Sequence, residues 1–541
     1  MYTPAGSPVE TSRLGRSNNA QLTTLEQIIA FCIEHNIPYS LPADFKERVL
    51  PSPALQEVFT RSYGLARLPP TTLRHKGSST IIALERKAPN PKANNHGEVI
   101  ATISDSVGKQ LQPRVDVIYI QTDPNPAYRE AHHPDVNEPL KRLLEQQGVP
   151  VIFSCVEWDD AWLLLDGITH DGQFDHLGKF TGFFVDSAGN DGLFGADGQK
   201  KFATQKHRAS SHAPPLAVSV GAVEQTENGT VIAGWSSANG PTLLAPVAHQ
   251  AKIKWDSERE AESATGTSAA CPYVGGVLAA LNAEYGAYLT REQILYAVIA
   301  TCEPILNVAA FGSHTLQPYT ITYPENAAGL KFNAWVGGFG EIKPYRADKI
   351  LAHMVAITQQ NSNLITDPIP TSAVVFVPNP TQQKPSDGLY TYELELPADG
   401  GIALKTTLEV EYVGQHGQIY VTSPSGTTLP MVTSMLPIFN IKALTEEKAY
   451  FGLSTTHGWA GENLGGKWRI TSPTPIRRLR FNNHHFLEGD IIHNLDVARL
   501  LKTPVPYDAL GIAIPLVDLK PTLREQSYVA AQPHRQLAIA I

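Results

Sequence analysis

Short apolar runs alternate with helical patterns through the middle of the chain. The sequence predicts strands over residues 79–84, 115–121, 149–155, 180–185 and 216–220, with a helical pattern at 139–147 among those that separate them. Continuous apolar strands alternating with helices favour a parallel sheet that is covered on both faces. Catalytic groups in such sheets gather at the carboxyl ends of the strands.

The region before this pattern is polar, with a single amphipathic stripe. Thr24 and Gln27 have the spacing of a capping box, and the apolar residues that follow from Leu25 keep helical spacing. Prolines then interrupt the pattern. Residues 1–75 are therefore interpreted as an N-terminal helical extension packed on the main domain, as a pro-segment or as a partner-docking module, and these alternatives stay open at this stage.

Strict alternation dominates the last third of the chain. Apolar and polar residues alternate over 389–396, 403–413 and 417–421, which is typical of a β-sandwich. A proline-rich linker is predicted just after residue 360, and the sandwich is predicted over 365–480. Residues 481–541 are assigned to a C-terminal extension.

Size and charge limit the classes of function. A chain of 541 residues is long enough for two to four domains, and its net charge of −9 without a basic block argues against nucleic acid as a partner. No run of 18 apolar residues occurs, so no membrane span is expected. The four cysteines lack metal-ligand spacing and are expected to be free thiols. The N-terminus shows no signal-peptide pattern, which predicts a bacterial-type cytoplasmic protein, or a secreted one if a leader was removed.

The candidate nucleophile is Ser268. It follows the small residues Thr265, Gly266 and Thr267 and opens an apolar run, 269–281, that is predicted to be a buried helix. A helix N-terminus favours developing negative charge, and a glycine lets the backbone approach a ligand closely. The alternative is a serine that merely caps a core helix.

The stretch 262–276 resembles the nucleophile motif of subtilisin-like serine proteases, the subtilases, and residues 262–265 resemble the kexin/furin branch. The resemblance covers about 77–356 and implies an α/β subtilisin-like catalytic domain over 76–358. Residues 458–463 and 465–470 resemble two recurring motifs of the P domain that follows the catalytic domain in kexin-like proteases. This resemblance implies an all-β jelly-roll P domain after the parallel sheet.

Two further motifs carry candidate catalytic residues. His96-Gly97 resembles the subtilase His-Gly motif, although Thr102 stands where the family has glycine. An imidazole titrates near neutral pH and can take and return the serine proton. The segment 187–192 resembles the family's oxyanion segment, which implies that Asn190 stabilises the oxyanion and that Ser187 and Gly189 contact substrate. A plain turn is the alternative for this segment.

The acid of the triad departs from the family pattern. The family has Asp at the end of the first strand, well before the histidine, whereas here the strand ends in Glu85, 11 residues before His96. Either Glu85 replaces the aspartate, or a deletion has shortened the loop before His96 and leaves no acid to orient the imidazole. Asp116 on the next strand is the weaker candidate.

The loop after the third strand predicts specificity. Glu157, Asp159 and Asp160 resemble the acidic segment of kexins and furin, which implies a pocket for a basic side chain. A solvated acidic loop is the alternative. The chemistry needs no cofactor, and structural calcium is suggested only by analogy, so the metal content stays unknown.

The sequence thus predicts a serine endopeptidase that cleaves protein or peptide substrates through an acyl-enzyme. A regulatory or inhibitory protein is a candidate partner. The alternative from another class is a catalytically disabled subtilase fold that acts as a binding or regulatory module. A third alternative is a latent enzyme in which residues 1–75 block the site.

Overall fold

The structure is a computed structural model that describes residues 24–45, 49–51, 77–86, 96–122, 143, 151–154, 182–190, 192, 216–226, 229–237, 241–247, 251–253, 262–263, 266–309, 316–360, 371–376, 388–397, 401–413, 419–431, 434–437 and 449–486. The helices of this part are α1 Leu25–Glu34, α2 Pro42–Phe45, α3 His96–Leu111, α4 Thr267–Tyr285, α5 Arg291–Ala300 and α6 Pro344–Gln360. None of these helices is long and apolar enough to span a membrane.

The first thirteen strands come before residue 321. They are β1 Tyr39–Ser40, β2 Val49–Pro51, β3 Ser79–Arg86, β4 Val115–Thr122, β5 Val151–Ser154, β6 Phe183–Ser187, β7 Ala217–Thr226, β8 Gly229–Ile232, β9 Leu243–Pro246, β10 Ala251–Ile253, β11 Glu262–Ser263, β12 Asn307–Ala309 and β13 Leu316–Thr320. The remaining strands are β14 Thr371–Phe376, β15 Tyr390–Leu396, β16 Ile402–Val413, β17 Ile419–Thr422, β18 Thr428–Met431, β19 Ser434–Pro437, β20 Ala449–Thr456, β21 Gly466–Ser472 and β22 Ile476–Phe486.

A ten-stranded sheet forms the centre of the first half, in the order β1-β4-β3-β5-β6-β7-β8-β12-β13, with β9 paired to β7. The pairs β4–β3, β3–β5, β5–β6, β6–β7 and β7–β9 are parallel. The predicted parallel sheet is confirmed. The main difference is β7, which continues to Thr226 because its last four residues pair antiparallel with β8.

Helices cover both faces of this sheet. Ile81 and Ala83 of β3 belong to the apolar cluster that contains α3 and α4, whereas Ile82 and Leu84 belong to the cluster of α1. Successive side chains of a strand point to opposite faces, so a strand covered on both sides must be apolar throughout. This is the reason for the continuous apolar runs in the sequence.

Helix α4 crosses the core and is buried along nearly its whole length. Its glycines let another helix approach closely. A Cβ on Gly276 would lie 2.9 Å from the Cβ of Val107 and 3.0 Å from the backbone nitrogen of Gly108, both in α3. Small residues at this crossing therefore hold α3 and α4 at short range.

The N-terminal helix has the predicted cap. Thr24 and Gln27 form a reciprocal capping box, and Ile28, Phe31 and Cys32 are buried against the sheet. Cys32, Cys271 and Cys302 are free thiols, as expected from their spacing, and Cys155 lies outside the described residues. The helix predicted at 139–147 is described only at Leu143, and residues 52–76 lie outside the described part.

Two antiparallel sheets form the last third of the structure. One has five strands, β14-β22-β16-β20-β19, and the other four, β15-β21-β17-β18. The ring centroids of Trp468 in β21 and Phe481 in β22 lie 5.0 Å apart, so apolar side chains from the two sheets meet. Strand β14 lies between Pro370 and Pro378, among the prolines after residue 360 and inside the sandwich predicted over 365–480. The sheet also continues past the predicted boundary at residue 480, because β22 pairs with β16 as far as Phe486.

A polar joint connects the two halves. The side-chain nitrogen of Asn326 donates to the carbonyls of Gly458 (3.0 Å) and Ala460 (3.1 Å), while its oxygen accepts from the backbone of Ala328 and Leu330. Glu462 accepts hydrogen bonds from the Ser423 hydroxyl (2.6 Å) and the Ala327 amide (3.3 Å). Burial raises the pKa of Glu462, against the opposing effect of these hydrogen bonds.

We expect Asn326→Ala to lower the free energy of unfolding by about 2–4 kcal/mol, because it leaves several buried backbone groups without partners. Differential scanning calorimetry should then show the C-terminal sheets unfolding separately from the parallel sheet. Asn333→Ala is the matched control, since its amide bonds only to residues 322, 335 and 336 of the same half. A single transition in both variants would contradict the role of the joint.

Candidate active site

The carboxyl ends of the parallel strands form one edge of the sheet. Leu84 of β3 is in register with Ser154 of β5, and Ser154 is in register with Asp186 of β6. The next residues of β3 and β6 are Glu85 and Ser187. Two of the candidate segments therefore reach the same edge of the sheet.

Glu85 and His96 form a direct pair. The Oε2 of Glu85 lies 3.0 Å from the Nδ1 of His96, the first residue of α3. The Glu85 side chain is 9% exposed and that of His96 is 36% exposed, so the pair faces solvent on the histidine side only. With Nδ1 held by the carboxylate, Nε2 is the nitrogen that can exchange a proton with another group.

The pKa of His96 reflects two opposing effects. Burial lowers it, but the hydrogen bond to Glu85 and the negative charge of that carboxylate raise it, and the net result is a raised pKa. By linkage, the pair stabilises the fold fully below the unfolded pKa of about 6.5, and this contribution is lost as the pH rises through the raised folded value. The imidazole is the conjugate acid over a wider pH range than a free histidine.

The helices of His96 and Ser268 run parallel. Beyond the C-terminal end of α3, the side chain of Gln112 donates to Glu284 near the end of α4 at 2.7 Å, and Arg114 lies 3.4 Å from the same carboxylate. Gln112 lies 16 residues after His96, and Glu284 lies 16 residues after Ser268. The contacts of Gly276 with Val107 and Gly108 and of Glu284 with Gln112 follow the same order along both helices, so the two helices begin toward the same end of the domain.

A contact at the start of β3 also indicates that the ends of α3 and α4 lie opposite to the proposed site. The side-chain amide of Asn282, near the end of α4, lies 3.4 Å from the Ser79 hydroxyl at the first residue of β3. The opposite end of β3 carries Glu85. Strand β3 and helices α3 and α4 thus bring Glu85, His96 and Ser268 to one end of the domain.

Ser268 is the second residue of α4 and is half-buried. The first turn of a helix has backbone N–H groups without intrahelical acceptors, which favour negative charge. Gly266 precedes the helix with a φ of +106°, a conformation that glycine adopts without strain. A serine at this position combines a half-exposed hydroxyl with a site for an anionic intermediate.

The side-chain amide of Asn190 is attached to the same helix start. Its Oδ1 accepts from the backbone nitrogen of Thr267 at 2.8 Å and from the Thr267 hydroxyl at 3.1 Å. The Thr267 hydroxyl in turn accepts from the backbone of Gly189 at 3.1 Å. Because these contacts use the amide oxygen, the Nδ2 group is the donor available to a ligand.

The Asn190 segment is also held from behind. Ser237 donates its backbone N–H to the carbonyl of Gly189 at 2.9 Å, and Gly192 donates to the carbonyl of Trp235 at 3.0 Å. Ser187 and Gly189 are buried, while Asn190 is exposed. The segment is therefore a turn on a fixed support, and its exposed residue carries the amide.

Sequence reasoning missed two residues that shape the site. The Thr267 hydroxyl bridges Asn190 and Gly189, because it donates to the first and accepts from the second. The only sequence signal for this bridge is the hydroxyl group itself, which can act as both donor and acceptor. Tyr119 lies on β4, and its ring occupies the space beside Gly97, where a Cβ would lie 2.3 Å from the phenol oxygen. Burial raises the pKa of Tyr119, and the charges of Glu85 and Glu98 raise it further.

Other predicted residues are not brought to this site or lie outside the described part. Asp116 is in register with Thr80, whereas Gln121 is in register with Glu85, so Asp116 lies about five residues or ~16 Å away along the strand. It is therefore excluded as the partner of His96. Glu157, Asp159 and Asp160 lie outside the described residues. Across the part of the chain that the structure describes, no group of three or more His, Cys, Asp or Glu could hold a metal ion.

Comparison with known proteins gives the class. Residues 165–331 match the family model described as the subtilase family, a span that contains Asn190 and Ser268 but not Glu85 or His96. This span of the chain is thus similar to the subtilase family, and the protein is a serine endopeptidase, a hydrolase of peptide bonds. A search of the curated proteins found no match.

Solved structures with similar folds include three proteases or toxins. The serine protease of Aeromonas sobria in complex with its chaperone has a TM-score of 0.47 at 12% identity, over 76% of this chain and 88% of that chain. The prenylagaramide maturation protease PagA has a TM-score of 0.33 at 15% identity, over 56% and 99%. The A-subunit of the AB5 toxin from E. coli has a TM-score of 0.30 at 14% identity, over 52% and 95%. The assignment rests on the family match alone.

We expect Glu85→Gln to move the acid limb of the pH profile of kcat/KM to lower pH. Loss of the carboxylate removes the negative charge and weakens the hydrogen bond, the two effects that raise the pKa of His96, and leaves the lowering effect of burial. Turnover should also fall, by up to about 10⁴-fold, because the tautomer of His96 is no longer imposed by a charge. The measurement is the pH dependence of peptide hydrolysis.

The matched control for this variant is Glu98→Gln, which removes one negative charge from the first turn of the same helix. Glu98 is not among the groups that shift the pKa of His96, so the acid limb of this control should stay in place. An unchanged acid limb in Glu85→Gln would show that Glu85 does not set the pKa of His96.

Proposed function

We propose that Ser268, His96 and Glu85 form the catalytic triad of this endopeptidase and that Asn190 completes its oxyanion hole. The observation that carries this proposal is the 3.0 Å contact between Glu85 and His96 at the end of the domain where α4 begins with Ser268. A carboxylate on Nδ1 holds the tautomer in which Nε2 can accept the serine proton.

In the proposed reaction the Ser268 hydroxyl attacks the scissile carbonyl, and its proton moves to Nε2 of His96. Glu85 stabilises the imidazolium that results. The oxyanion accepts hydrogen bonds from Nδ2 of Asn190 and from the backbone N–H of Ser268, and each such donor is worth about 10²–10³ in turnover. His96 then protonates the leaving amine, and the acyl-enzyme forms as the C–N bond breaks.

Deacylation repeats these steps with water. His96 takes a proton from water, the hydroxyl attacks the acyl-enzyme carbonyl, and the carboxylic acid product leaves as Ser268 regains its proton. All reacting groups belong to the chain or to the substrate and water, so no cofactor is proposed for the chemistry.

The position of Glu85 removes the main support for the alternative of a disabled binding module. That alternative depends on the shortened segment between Glu85 and His96 having removed the acid. Glu85 instead lies at hydrogen-bond distance from His96, and the Asn190 amide is fixed by Thr267. A binding module has no need of these contacts, so the active enzyme is favoured.

The finer assignments are also proposals. We propose cleavage after basic residues, with Glu157, Asp159 and Asp160 lining the pocket, and a kexin-like branch in which the C-terminal antiparallel sheets are a P domain. The polar joint around Asn326 and Glu462 supports a stabilising role for this domain. Structural calcium, a regulatory protein partner and a cytoplasmic location remain predictions from the sequence.

We expect an organophosphonate probe for serine hydrolases to label the wild-type protein and not the Ser268→Ala variant. Labelling requires an activated serine. Asn190→Ala should react more slowly while the fold persists, because this variant lacks a proposed oxyanion donor. Intact-mass spectrometry reports the adduct, and circular dichroism checks the fold. An unlabelled but folded wild type would favour the binding module over the enzyme.

For specificity, we expect peptide-library cleavage to show Arg or Lys at the P1 position and Asp159→Asn to weaken this preference about 10-fold or more, because a partly desolvated carboxylate binds a cation strongly. Asp105→Asn is a control that removes one acid from the far half of α3. A preference of the wild type for large apolar P1 residues would refute the acidic pocket.

A further inference from the structure

Three short elements near the N-terminus contact elements that carry or adjoin the proposed catalytic residues. They are β1 (Tyr39–Ser40), α2 (Pro42–Phe45) and β2 (Val49–Pro51), and we call them the N-terminal brace. They pack directly on α3, which carries His96, and they reach the strand of Glu85 and the segment before Ser268 through one or two intervening strands.

Strand β1 joins the sheet at the edge nearest to Glu85. Tyr39 pairs antiparallel with Ile120 and Ser40 with Tyr119, both in β4. Strand β4 pairs in turn with β3, which carries Glu85. Since an uncovered edge strand is free to shift or to pair wrongly, β1 fixes the edge on which the acid depends.

Helix α2 and strand β2 pack against α3, the helix that begins with His96. Phe45, the last residue of α2, is 1% exposed and belongs to the same apolar cluster as Val99, Ile100 and Ile103 of α3. Strand β2 also lies against α3. The brace therefore fills one side of the helix that orients the imidazole.

Strand β2 completes the small sheet that leads to Ser268. Its residues pair antiparallel with β10, as Val49 with Ile253 and Leu50 with Lys252. The other side of β10 pairs with β11, which ends only three residues before Gly266. A two-stranded ribbon is marginally stable alone, so the third strand supplied by the brace is needed to hold it.

We propose that the N-terminal brace is a permanent positioning element of the active site. It sets the relative positions of the strand of Glu85, the helix of His96 and the ribbon before Ser268, and it stays in place during turnover. This inference rests on the proposed triad. It differs from a pro-segment or blocking segment, whose loosening would raise activity.

The test compares two variants of the full chain. Phe45→Ala empties a buried site of the brace against α3, whereas Ile28→Ala empties an equally buried site of α1 on the opposite face of the sheet. Both should lower Tm. A positioning role predicts that only Phe45→Ala lowers kcat, about 10- to 100-fold with KM nearly unchanged, because small misplacements of catalytic groups slow the chemical step.

A second variant acts through the backbone. Pro51 has no N–H, so the double substitution Val49→Pro and Leu50→Pro removes the remaining backbone donors of β2 without deleting the segment. It should lower the rate of phosphonate labelling of Ser268 to a similar degree. Measurements at a temperature well below the Tm of every variant keep all of them folded, as circular dichroism checks.

The outcomes separate the alternatives. Slower labelling in Phe45→Ala and in the proline variant, with Ile28→Ala like the wild type, supports the brace. Faster labelling in the brace variants would mean a blocking segment, and equal rates in all variants would mean a merely structural extension; either result overturns the inference. An unlabelled wild type overturns the proposed triad itself, and the brace with it.

Discussion

The close parallel packing of α3 on α4 is the constraint on which the site depends. Gly276 removes the side chain that would otherwise hold the helices apart, and Gln112 and Arg114 meet Glu284 at their far ends. Contacts in the middle and at the far ends of the two helices restrict how they can slide past each other. The first turns of the two helices, with His96 and Ser268, are therefore positioned in part by residues that lie about 24 Å away along each helix.

The electrostatics of the site follow from the same arrangement. The Glu85 carboxylate is nearly buried and faces an imidazole that is partly exposed. Burial alone would make His96 a poor proton acceptor by lowering its pKa, and the carboxylate reverses that effect. The amide of Asn190 is anchored through its oxygen, so its donor is already oriented before a substrate arrives, which is the condition for effective stabilisation of an oxyanion.

Much of this could be predicted from sequence because the signals are local. The capping box at Thr24, the helix start at His96 and the apolar strand ending in Glu85 each depend on a few neighbouring residues. The bridge from Thr267 to Asn190 joins residues 77 positions apart, and the level of the helices depends on a pair 172 positions apart. Neither leaves a periodic trace in the sequence. The bounds of β14 do not follow from the sequence, because the flanking prolines indicate a linker as strongly as they indicate strand ends.

The segment between Glu85 and His96 can be short because the positions of these two residues are set by other parts of the fold. The position of His96 is set by the packing of α3 on α4, and the position of Glu85 by the register of β3 between β4 and β5. The connection only has to join two fixed ends, and the entropic cost of closing a loop depends weakly on its length. Its length therefore says little about activity. What matters is that the carboxyl group reaches Nδ1, and a glutamate in this position does so at 3.0 Å.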